Sequence, residues 1–354
     1  MSLTHSIRNS IIDTLLYEIG RDEYKHDFSV SNFAKTHQVT TQSVYRYLRS
    51  LESENKIVKI KKGNRNTYEL VENLTYLSFP IEKLVEDIVW SRSVKPLLNN
   101  VPETALRICN YAFCEMLNNA IDHSEGTEVG ITVGVNAVRV AFDIVDNGVG
   151  IFTKIASAMN LEEKRFAVLE LAKGKLTTAP ERHTGEGIFF SAKASDYFSI
   201  ISDNFIFEVP GLYGSEIEKM SQFKGHPFGG TAVFIHVLFN HRMPLSEVFD
   251  QYTSDPDGYG FTKTTFHVLL LEHGDPNPTF VSRSQAKRLL ARLEKFERIE
   301  LDFSGIEEIG QGFADEVFRV FGLQHPNSKI VAAKCSKSVA KMIKHIIGDD
   351  SLFV

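Results

Sequence analysis

Residues 114–124 read CEMLNNAIDHS, and this stretch decides how the centre of the chain folds. Glu115, Asn119 and Asp122 are four and three residues apart, so on an α-helix they share one face. A second face is apolar and consists of Cys109, Phe113, Met116, Leu117 and Ala120. Such a helix can pack into a core and still present two carboxylates and an amide to a ligand.

Three glycine-containing motifs follow this helix along the chain. They are DNGVG at residues 146–150, HTGEG at 183–187 and GGT at 229–231. Two predicted strands, EVGITVGV and VRVAFDIVD, precede the first motif, and the second strand delivers Asp146 into the turn. The order and the residue types of the four motifs indicate a nucleotide pocket.

The polar residues of these motifs suit the chemistry of a nucleotide that carries Mg²⁺. Asp146, at a strand end, can accept a hydrogen bond from an exocyclic amine such as that of adenine. Asn119 offers a neutral oxygen to Mg²⁺, which prefers oxygen ligands. Glu115, one helical turn earlier, is placed to orient or deprotonate a water that attacks the γ-phosphate.

The glycines fit the same pocket. Gly148 and Gly150 remove side chains where a flat base must approach the backbone. Gly185 and Gly187 leave backbone N–H groups free to face phosphates at the start of a predicted helix, GIFFSAKAS. Thr231 adds a hydroxyl beside the base.

Together the motifs resemble the Bergerat-fold ATPases, the family shared by DNA gyrase, MutL-type repair proteins, ninety-kilodalton chaperones, histidine kinases and anti-sigma-factor kinases. The resemblance implies an α/β sandwich over residues 99–245 that binds ATP and Mg²⁺ under a lid at about residues 151–184. It implies that Glu115 is the catalytic base and Asn119 the magnesium ligand. The nucleotide-binding residues are then Asn119, Asp122, Asp146, Gly148, Gly150, Gly185, Gly187 and Thr231.

Glu115 and the residues before it separate some branches of this family. Histidine kinases usually have Asn where this chain has Glu115, and residues 74–115 contain no histidine that could accept phosphate. Because Glu115 is common to gyrase-like ATPases and anti-sigma kinases, both a Mg²⁺-dependent ATPase and a protein kinase stay open. One lid cation is expected to reach the γ-phosphate, from among Lys154, Lys164, Arg165, Lys173, Lys175 and Arg182.

The first 75 residues predict three helices and a hairpin. The third helix opens at Thr40 or Thr41, and its inward face is Val44, Tyr47, Leu48 and Leu51. The hairpin turns at residues 63–64, a Gly-Asn pair. This arrangement resembles the winged helix-turn-helix regulators, in which the third helix enters the major groove of DNA and the hairpin contacts the backbone.

That resemblance implies a duplex-DNA partner. Residues 1–70 contain eleven Lys or Arg and eight Asp or Glu, so they carry +3 although the whole chain carries -6. The expected DNA-binding residues are Thr41, Gln42, Tyr45, Arg46, Arg49, Lys61, Lys62 and Arg65. The alternative is a winged helix that serves only protein contacts or dimerisation.

Residues 260–354 alternate predicted strands and amphipathic helices, beginning with a strand at 265–272 (TFHVLLLE) and a helix at 284–296 (SQAKRLLARLEKF). This alternation predicts a small α/β layer domain. The stretch DFSGIEEIGQGFADEVF, from residue 302, resembles the strand-loop-helix of STAS-like domains. In the anti-anti-sigma class, anti-sigma kinases phosphorylate a serine at this loop, but residues 309–313 here read IGQGF and contain no hydroxyl. The resemblance therefore implies a protein partner or a small anion rather than phosphorylation of this loop.

The whole chain is predicted to be α/β, with residues 76–98 as a helical linker between the first two domains. Three cysteines are too few and too badly spaced for a disulfide frame or a metal site, and no apolar run is long enough to span a membrane. These features predict a cytoplasmic protein without a membrane partner.

Three functions are consistent with this organisation. The first is an ATP-gated DNA-binding regulator, in which lid closure changes self-association, as in a homodimer, or the contact with the STAS-like module. The second is an anti-sigma-type serine or threonine kinase that acts on a separate protein. The third is an ATPase of DNA maintenance or defence.

Overall fold

The computed structural model describes residues 3–22, 28–62, 65–176, 185–209, 219–222, 228–240, 243–253, 260–272, 279–348 and 352–353. It is a mixed α/β protein with one large antiparallel sheet, one small parallel sheet and one two-stranded hairpin. Within these residues, none of the helices combines the length and the apolarity that a membrane crossing requires.

The N-terminal unit (residues 3–70) contains three helices and a hairpin, as its sequence predicts. The elements are α1 (Leu3–Asp22), α2 (Val30–Thr36), α3 (Thr41–Ser53), β1 (Ile57–Lys62) and β2 (Arg65–Leu70). Helix α3 begins where the Thr40 hydroxyl accepts a hydrogen bond from the Ser43 N–H at 3.1 Å, which is an N-cap. All four residues predicted to face inward, Val44, Tyr47, Leu48 and Leu51, are buried. The predicted turn at residues 63–64 lies outside the described part of the chain.

A seven-stranded antiparallel sheet forms the middle of the central unit (residues 73–253). Its strands are β3 (Asn73–Pro80), β4 (Glu128–Val135), β5 (Arg139–Asp146), β6 (Tyr197–Asp203), β7 (Phe205–Val209), β8 (Lys219–Gln222) and β9 (Phe228–Leu238). Their order across the sheet is β3-β4-β5-β9-β6-β7-β8. The two strands predicted on either side of residues 136–137 are confirmed as β4 and β5.

Strand β3 corrects the predicted helical linker, because residues 76–80 belong to the sheet. They pair with β4, with Tyr76 opposite Thr132 and Phe79 opposite Val129. Exposure alternates along the strand, as expected where only one face of an edge strand is covered. The helical part of the predicted linker is shorter: α4 (Glu86–Val89), a π-helical turn (Trp90–Val94) and a 3₁₀ turn (Lys95–Leu97).

Five helices accompany the sheet. They are α5 (Glu103–His123), α6 (Ile151–Ala158), α7 (Arg165–Lys173), α8 (Gly187–Ala194) and α9 (Leu245–Gln251). Helix α5 packs against β5 and β9, whereas α6 and α8 pack against β6. The apolar face predicted for α5, which is Cys109, Phe113, Met116, Leu117 and Ala120, is buried. Burial of that face fixes which side of α5 is free to line a site.

The C-terminal unit (residues 260–348) is a three-stranded parallel sheet with helices. The strands β10 (Lys263–His267), β11 (Arg298–Asp302) and β12 (Lys329–Ala333) lie in chain order. The helices are α10 (Arg283–Leu290), α11 (Gln311–Ala314), α12 (Phe321–Gln324) and α13 (Lys337–Ile347), and a π-helical segment (Asp315–Val320) joins α11 to α12.

Two predicted elements of this unit are shorter than their patterns suggest. The predicted strand at residues 265–272 ends at His267 and continues as a 3₁₀ turn (Val268–Glu272). The predicted helix at 284–296 begins at a Ser282–Gln285 capping box but ends at Leu290. Arg292 has φ +67°, a left-handed conformation that interrupts the helix before a 3₁₀ turn (Leu293–Lys295).

The buried apolar residues form two cores. One core runs without a break through the central and C-terminal units, and an aromatic group joins the two. In that group, Phe189 and Phe261 have ring centroids 4.5 Å apart, and Phe261 and Phe296 5.1 Å apart. The second core belongs to the N-terminal unit, and Val138 of the central unit is buried in it.

Candidate functional site

A cavity of about 290 Å³ lies between α5, the inner strands and the chain that leads into α8. Its polar lining is Glu115, Asn119, His123, Ser124, Asp146, Lys154, Gly185, Gly187 and Thr231. Its apolar lining is Met116, Ala120, Ile144, Ile151, Ile155, Leu171, Leu176, Ile188, Ile200 and Val233. Residues from all four sequence motifs therefore meet at one cavity.

Asp146, the last residue of β5, is only 5% exposed. Its Oδ1 accepts hydrogen bonds from the N–H groups of Gly148 at 2.8 Å and Thr231 at 3.2 Å. Burial raises the pKa of this carboxyl, and the two N–H donors act in the opposite direction. One carboxylate oxygen is thus engaged by the protein backbone, and the group can still accept a hydrogen bond from a ligand in the cavity.

Thr231 has a structural task besides lining the cavity. Its hydroxyl oxygen accepts a hydrogen bond from the Ile151 N–H at 3.0 Å. Strand β9 is therefore tied both to Asp146 and to the first residue of α6. This tie fixes the position of the carboxylate relative to the apolar wall.

Gly148 and Gly150 lie beside Asp146 in the turn and do not line the cavity. A Cβ atom at Gly148 would overlap the carbonyl oxygen of Ser124. That carbonyl also accepts a hydrogen bond from the Val149 N–H at 2.8 Å. Position 148 therefore requires glycine because the end of α5 approaches it closely. From the sequence alone, the expected reason is the approach of a nucleotide base.

Helix α5 presents Glu115, Asn119 and His123 to the cavity, whereas Asp122 is exposed and is outside the lining. Each residue of an α-helix advances by about 100°, so His123 lies within about 80° of Glu115 on the same side as Asn119. Asp122 falls on the other side of Glu115, about 60° from Asn119 and away from the centre of the lining face. Spacings of four and three thus define a broad face, and the cavity uses only one half of it.

Glu115 lies directly against the start of α8. A Cβ atom at Gly187 would overlap the Glu115 carboxylate. The predicted helix at this point is confirmed as α8, and Gly185 and Gly187 precede and begin it. The absence of a side chain at position 187 therefore lets a carboxylate and a helix N-terminus share one end of the cavity.

Lys154 is the member of the predicted lid cations that lines the cavity, among those that the structure describes. Its ammonium donates to the carbonyl oxygen of His123 at 2.6 Å and to Glu125 Oε1 at 3.0 Å. The sequence does not show which of these cations faces the cavity, because spacing within the predicted lid does not determine which side chain turns inward.

The other lid cations have different partners. Lys164 pairs with Asp203 at 3.0 Å, and Arg165 pairs with Glu163 at 2.9 Å. Lys173 and Lys175 turn towards the C-terminal unit. Arg182 lies outside the described residues.

The apolar walls of the cavity were not predicted. Ile144 precedes Asp146 by two residues on β5, so alternation along that strand could have placed it on the same side. Ile151, Ile155 and Val233 come from other elements, and only their packing shows that they face each other. Flat apolar walls with one buried carboxylate suit an aromatic ring that carries a hydrogen-bond donor.

The residues predicted to contact DNA lie on the N-terminal unit. Thr41, Gln42, Tyr45, Arg46 and Arg49 are exposed on α3, and Lys61 is exposed on β1. Lys62 and Arg65 pair across the hairpin through their backbones, and their side chains lie outside the described part of the chain. The exposed face of α3 therefore combines two arginines with hydroxyl and amide groups.

Residues 309–313, at the start of α11, contain no hydroxyl, as the sequence shows. Ile309 forms a bridge with Phe280, and Phe313 is buried. On the preceding strand, Asp302 is held by His267 at 3.2 Å and Lys334 at 2.9 Å, and its Oδ1 accepts from the Ser304 N–H. Burial opposes ionisation of Asp302, but these donors bring its pKa well below the usual range.

Comparison with known families identifies one region of the chain. The sequence model of a family described as "STAS-like domain of unknown function (DUF4325)" matches residues 285–340. The C-terminal unit therefore contains a STAS-like domain, as its strand-loop-helix pattern suggests. A comparison with curated proteins gives no match.

Proposed function

We propose that this protein is an ATP-gated DNA-binding regulator, in which a Bergerat-fold central unit binds ATP with Mg²⁺ and a winged helix-turn-helix reads duplex DNA. The observation that carries the proposal is the convergence of Glu115, Asn119, Asp146 and the Gly185–Gly187 segment on one cavity. Each motif is common by itself, but their meeting at one cavity, with the buried Asp146 carboxylate and with Glu115 against the start of α8, supports a nucleotide site.

The residues present fit this ligand. The Asp146 carboxylate would accept a hydrogen bond from the adenine amine while the apolar walls cover the ring. Asn119 would give an oxygen to Mg²⁺, and phosphates and water would supply the other ligands. The described residues contain no group of three His, Cys, Asp or Glu that could hold a metal ion by itself. Glu115 would act on the water that attacks the γ-phosphate.

DNA binding is supported by exposure and charge at the other end of the molecule. Arg46 and Arg49 project from α3 together with Thr41, Gln42 and Tyr45, and Lys61 extends from the hairpin. Arginine and amide side chains on one helix can read base edges, and hairpin lysines can contact phosphates. ATP can gate this activity only if it binds two states of the protein with different affinity.

The first test follows γ-labelled ATP with Mg²⁺ and the full-length protein, with and without duplex DNA. We expect bound ATP, and release of labelled phosphate would identify an ATPase. The variant Asp146→Ala should lose ATP binding, whereas Asp143→Ala, a carboxylate on the opposite face of the same strand, should keep it. Normal ATP affinity in Asp146→Ala would refute the pocket assignment.

Glu115→Gln separates binding from chemistry. Because the amide cannot accept a proton from water, this variant should bind ATP normally and lose turnover or transfer. Equal turnover in the variant and the wild type would remove Glu115 from the reaction.

DNA binding is tested by fluorescence anisotropy with and without ATP. Arg46→Ala and Arg49→Ala together should weaken binding by about 1–3 kcal/mol for each lost base contact. Lys61→Ala and Lys62→Ala should mainly reduce the salt dependence. Unchanged affinity in both pairs would favour an N-terminal unit that serves only protein contacts.

A kinase of the anti-sigma type is the second candidate. The match to a STAS-like domain supports it, because STAS domains of the anti-anti-sigma class are partners of those kinases. The absence of a hydroxyl at residues 309–313 directs this candidate to a separate acceptor protein. Transfer of the γ-label to a protein rather than to water would support it. Turnover that requires DNA would instead support an ATPase of DNA maintenance or defence.

A further inference from the structure

A side chain of the STAS-like domain holds the backbone of the predicted lid. Arg292 Nη2 donates to the carbonyl oxygens of Lys175 at 2.6 Å and Gly174 at 3.4 Å. Its Nη1 donates to Glu170 Oε2 at 2.7 Å. One guanidinium of the C-terminal unit therefore binds both the last turn of α7 and the chain that leaves it.

A buried lysine makes the reciprocal contact. Lys173 is only 1% exposed, and its ammonium donates to Glu170 Oε1 at 2.6 Å. The same ammonium donates to the carbonyl oxygens of Ala291 at 2.9 Å and Arg288 at 3.2 Å, so all three of its N–H groups are used. Burial lowers the pKa of Lys173, and the Glu170 carboxylate counteracts this. Separation of the two units would remove two of the three acceptors of Lys173 and the Arg292 partner of Glu170.

Arg292 has an unusual backbone conformation at this contact. Its φ of +67° is unfavourable for a residue that carries a side chain, and it interrupts the helical run after α10. The interruption ends α10 at Leu290, so the carbonyl oxygen of Ala291 is free of helical pairing and accepts from Lys173. A break in the helix, which the sequence pattern does not show, is thus the feature that leaves the Ala291 carbonyl available for this contact.

The held segment is part of the cavity wall. Leu171, on α7, and Leu176, one residue after Lys175, both line the cavity. The Leu176 N–H donates to the carbonyl oxygen of Gly185 at 3.0 Å, so the same segment supports the glycine-containing chain before α8. Lys175 adds a bond to the carbonyl oxygen of Lys295 at 3.1 Å and lies over the Phe296 ring. Direct contacts therefore connect Arg292 to the wall of the cavity.

We propose that Arg292 of the STAS-like domain, acting with Glu170 and Lys173, is a positioning residue for the nucleotide site, so that docking of the STAS-like domain and occupancy of the cavity favour each other. The proposal rests on the proposed function, because it assumes that the cavity binds ATP. Coupling of this kind is reciprocal: whatever the docked domain adds to nucleotide affinity, the nucleotide adds to docking.

The test measures binding of a non-hydrolysable ATP analogue with Mg²⁺ to the full-length protein. Arg292→Ala should raise Kd roughly tenfold, within the range usual for coupled sites. The matched control is Arg288→Ala. Its guanidinium lies 4.2 Å from the Phe166 ring centroid and 3.4 Å from Glu162, but none of its described side-chain contacts reaches residues 174–176. Its Kd should stay within about twofold of wild type. Arg292→Lys keeps the charge without the planar fork and should recover only part of the affinity.

Hydrogen exchange gives a readout that a purely structural role would not move. In wild type, the analogue should slow amide exchange at residues 288–295 of the STAS-like domain, which lie outside the cavity. In Arg292→Ala, exchange at 174–176 should be faster without nucleotide, and the protection of 288–295 by nucleotide should be lost. If Arg292→Ala does not fold, Arg292→Lys and the wild-type protection pattern still decide the proposal.

The outcomes separate the two hypotheses. A wild-type protein that binds no analogue refutes the nucleotide site itself. A wild type that binds the analogue without protection at 288–295, or an Arg292→Ala variant with wild-type Kd, overturns the positioning role and leaves the nucleotide site intact.

Discussion

The central unit meets its two neighbours in physically different ways. On the N-terminal side, Val138 enters a separate core, and Glu72 bonds to Asn136 and Arg139, both at 3.4 Å. On the C-terminal side, the apolar core continues without interruption, and Lys173 and Glu170 are buried as an ion pair. The first junction consists of Val138, the neighbouring Ala137 and long polar contacts, whereas the second is a shared interior.

The difference between the two junctions indicates which of them can change its geometry. Two units that share a core cannot separate without exposing apolar surface and buried charge, so they should unfold together. A junction with so small an apolar contact can change its geometry at a lower cost in free energy. We therefore expect the STAS-like domain to act on the proposed nucleotide site by tightening or loosening contacts in place, and the N-terminal unit to move as a body.

The largest expected effect comes from the shared core. Phe261→Ala should lower the free energy of unfolding by about 3–5 kcal/mol, because a buried aromatic ring between the two units is lost. Urea unfolding followed by the fluorescence of Trp90, the only tryptophan, reports on the central unit. The Trp90 midpoint should fall although the substitution is outside the central sheet.

The control for this variant is Leu323→Ala, since Leu323 is 73% exposed in the same STAS-like domain. Its unfolding midpoint should stay at the wild-type value. A Trp90 midpoint that ignores Phe261→Ala would mean that the two units unfold independently and that the shared core does not couple them.

The N-terminal junction should give a smaller and more local effect. Val138→Ala removes two buried carbon atoms, which corresponds to about 1.6 kcal/mol at about 0.8 kcal/mol for each. The loss should appear in the unfolding of the N-terminal unit, measured by exchange of amides in α3, with little change at Trp90. An equal loss at both probes would contradict the comparison between the two junctions.

A further effect depends on pH and arises within the central sheet, where His236 of β9 lies opposite Ala141 and Tyr197. Burial, with the nearby positive charge of Arg139, lowers the pKa of His236 from 6.5 to about 4. Between these two pKa values, His236 is protonated in the unfolded chain but neutral in the folded protein. The free energy of unfolding should therefore fall as the pH drops from about 6.5 to 4. His236→Gln should flatten the dependence of Tm on pH in this window. A wild-type slope in that variant would assign the acid sensitivity to other groups.

The sequence predicts much of the site because its motifs are local. Glu115 and Asn119 share a helical face by spacing alone, and Asp146 ends a strand whose alternation is visible in the sequence. The boundary of the N-terminal helix α3 follows from the Thr40 cap. These elements depend on interactions within a few residues, and they are present in the structure.

Other features depend on residues that are far apart in the chain. Residues 76–80 of strand β3 are predicted as part of a helical linker, because the strand with which they pair, β4, begins only at Glu128. Asp122 was placed on the ligand face, but the packing of α5 turns His123 to the cavity. The left-handed break at Arg292 has no signal in a helix-forming sequence, since it is stabilised by contacts with Gly174, Lys175 and Glu170.

By itself, the sequence determined the α5 motif, the strand that carries Asp146, the helix start at Gly187 and the pattern of the C-terminal domain. The packing of distant segments decided which lysine of the predicted lid faces the cavity and which backbone contact excludes a side chain at Gly148. It also decided that Arg292 binds the backbone at residues 174–175. The reason is the distance along the chain between the residues that interact. Helical periodicity and caps are settled within one or two turns, whereas a buried ion pair or a carbonyl contact exists only once two distant segments have packed.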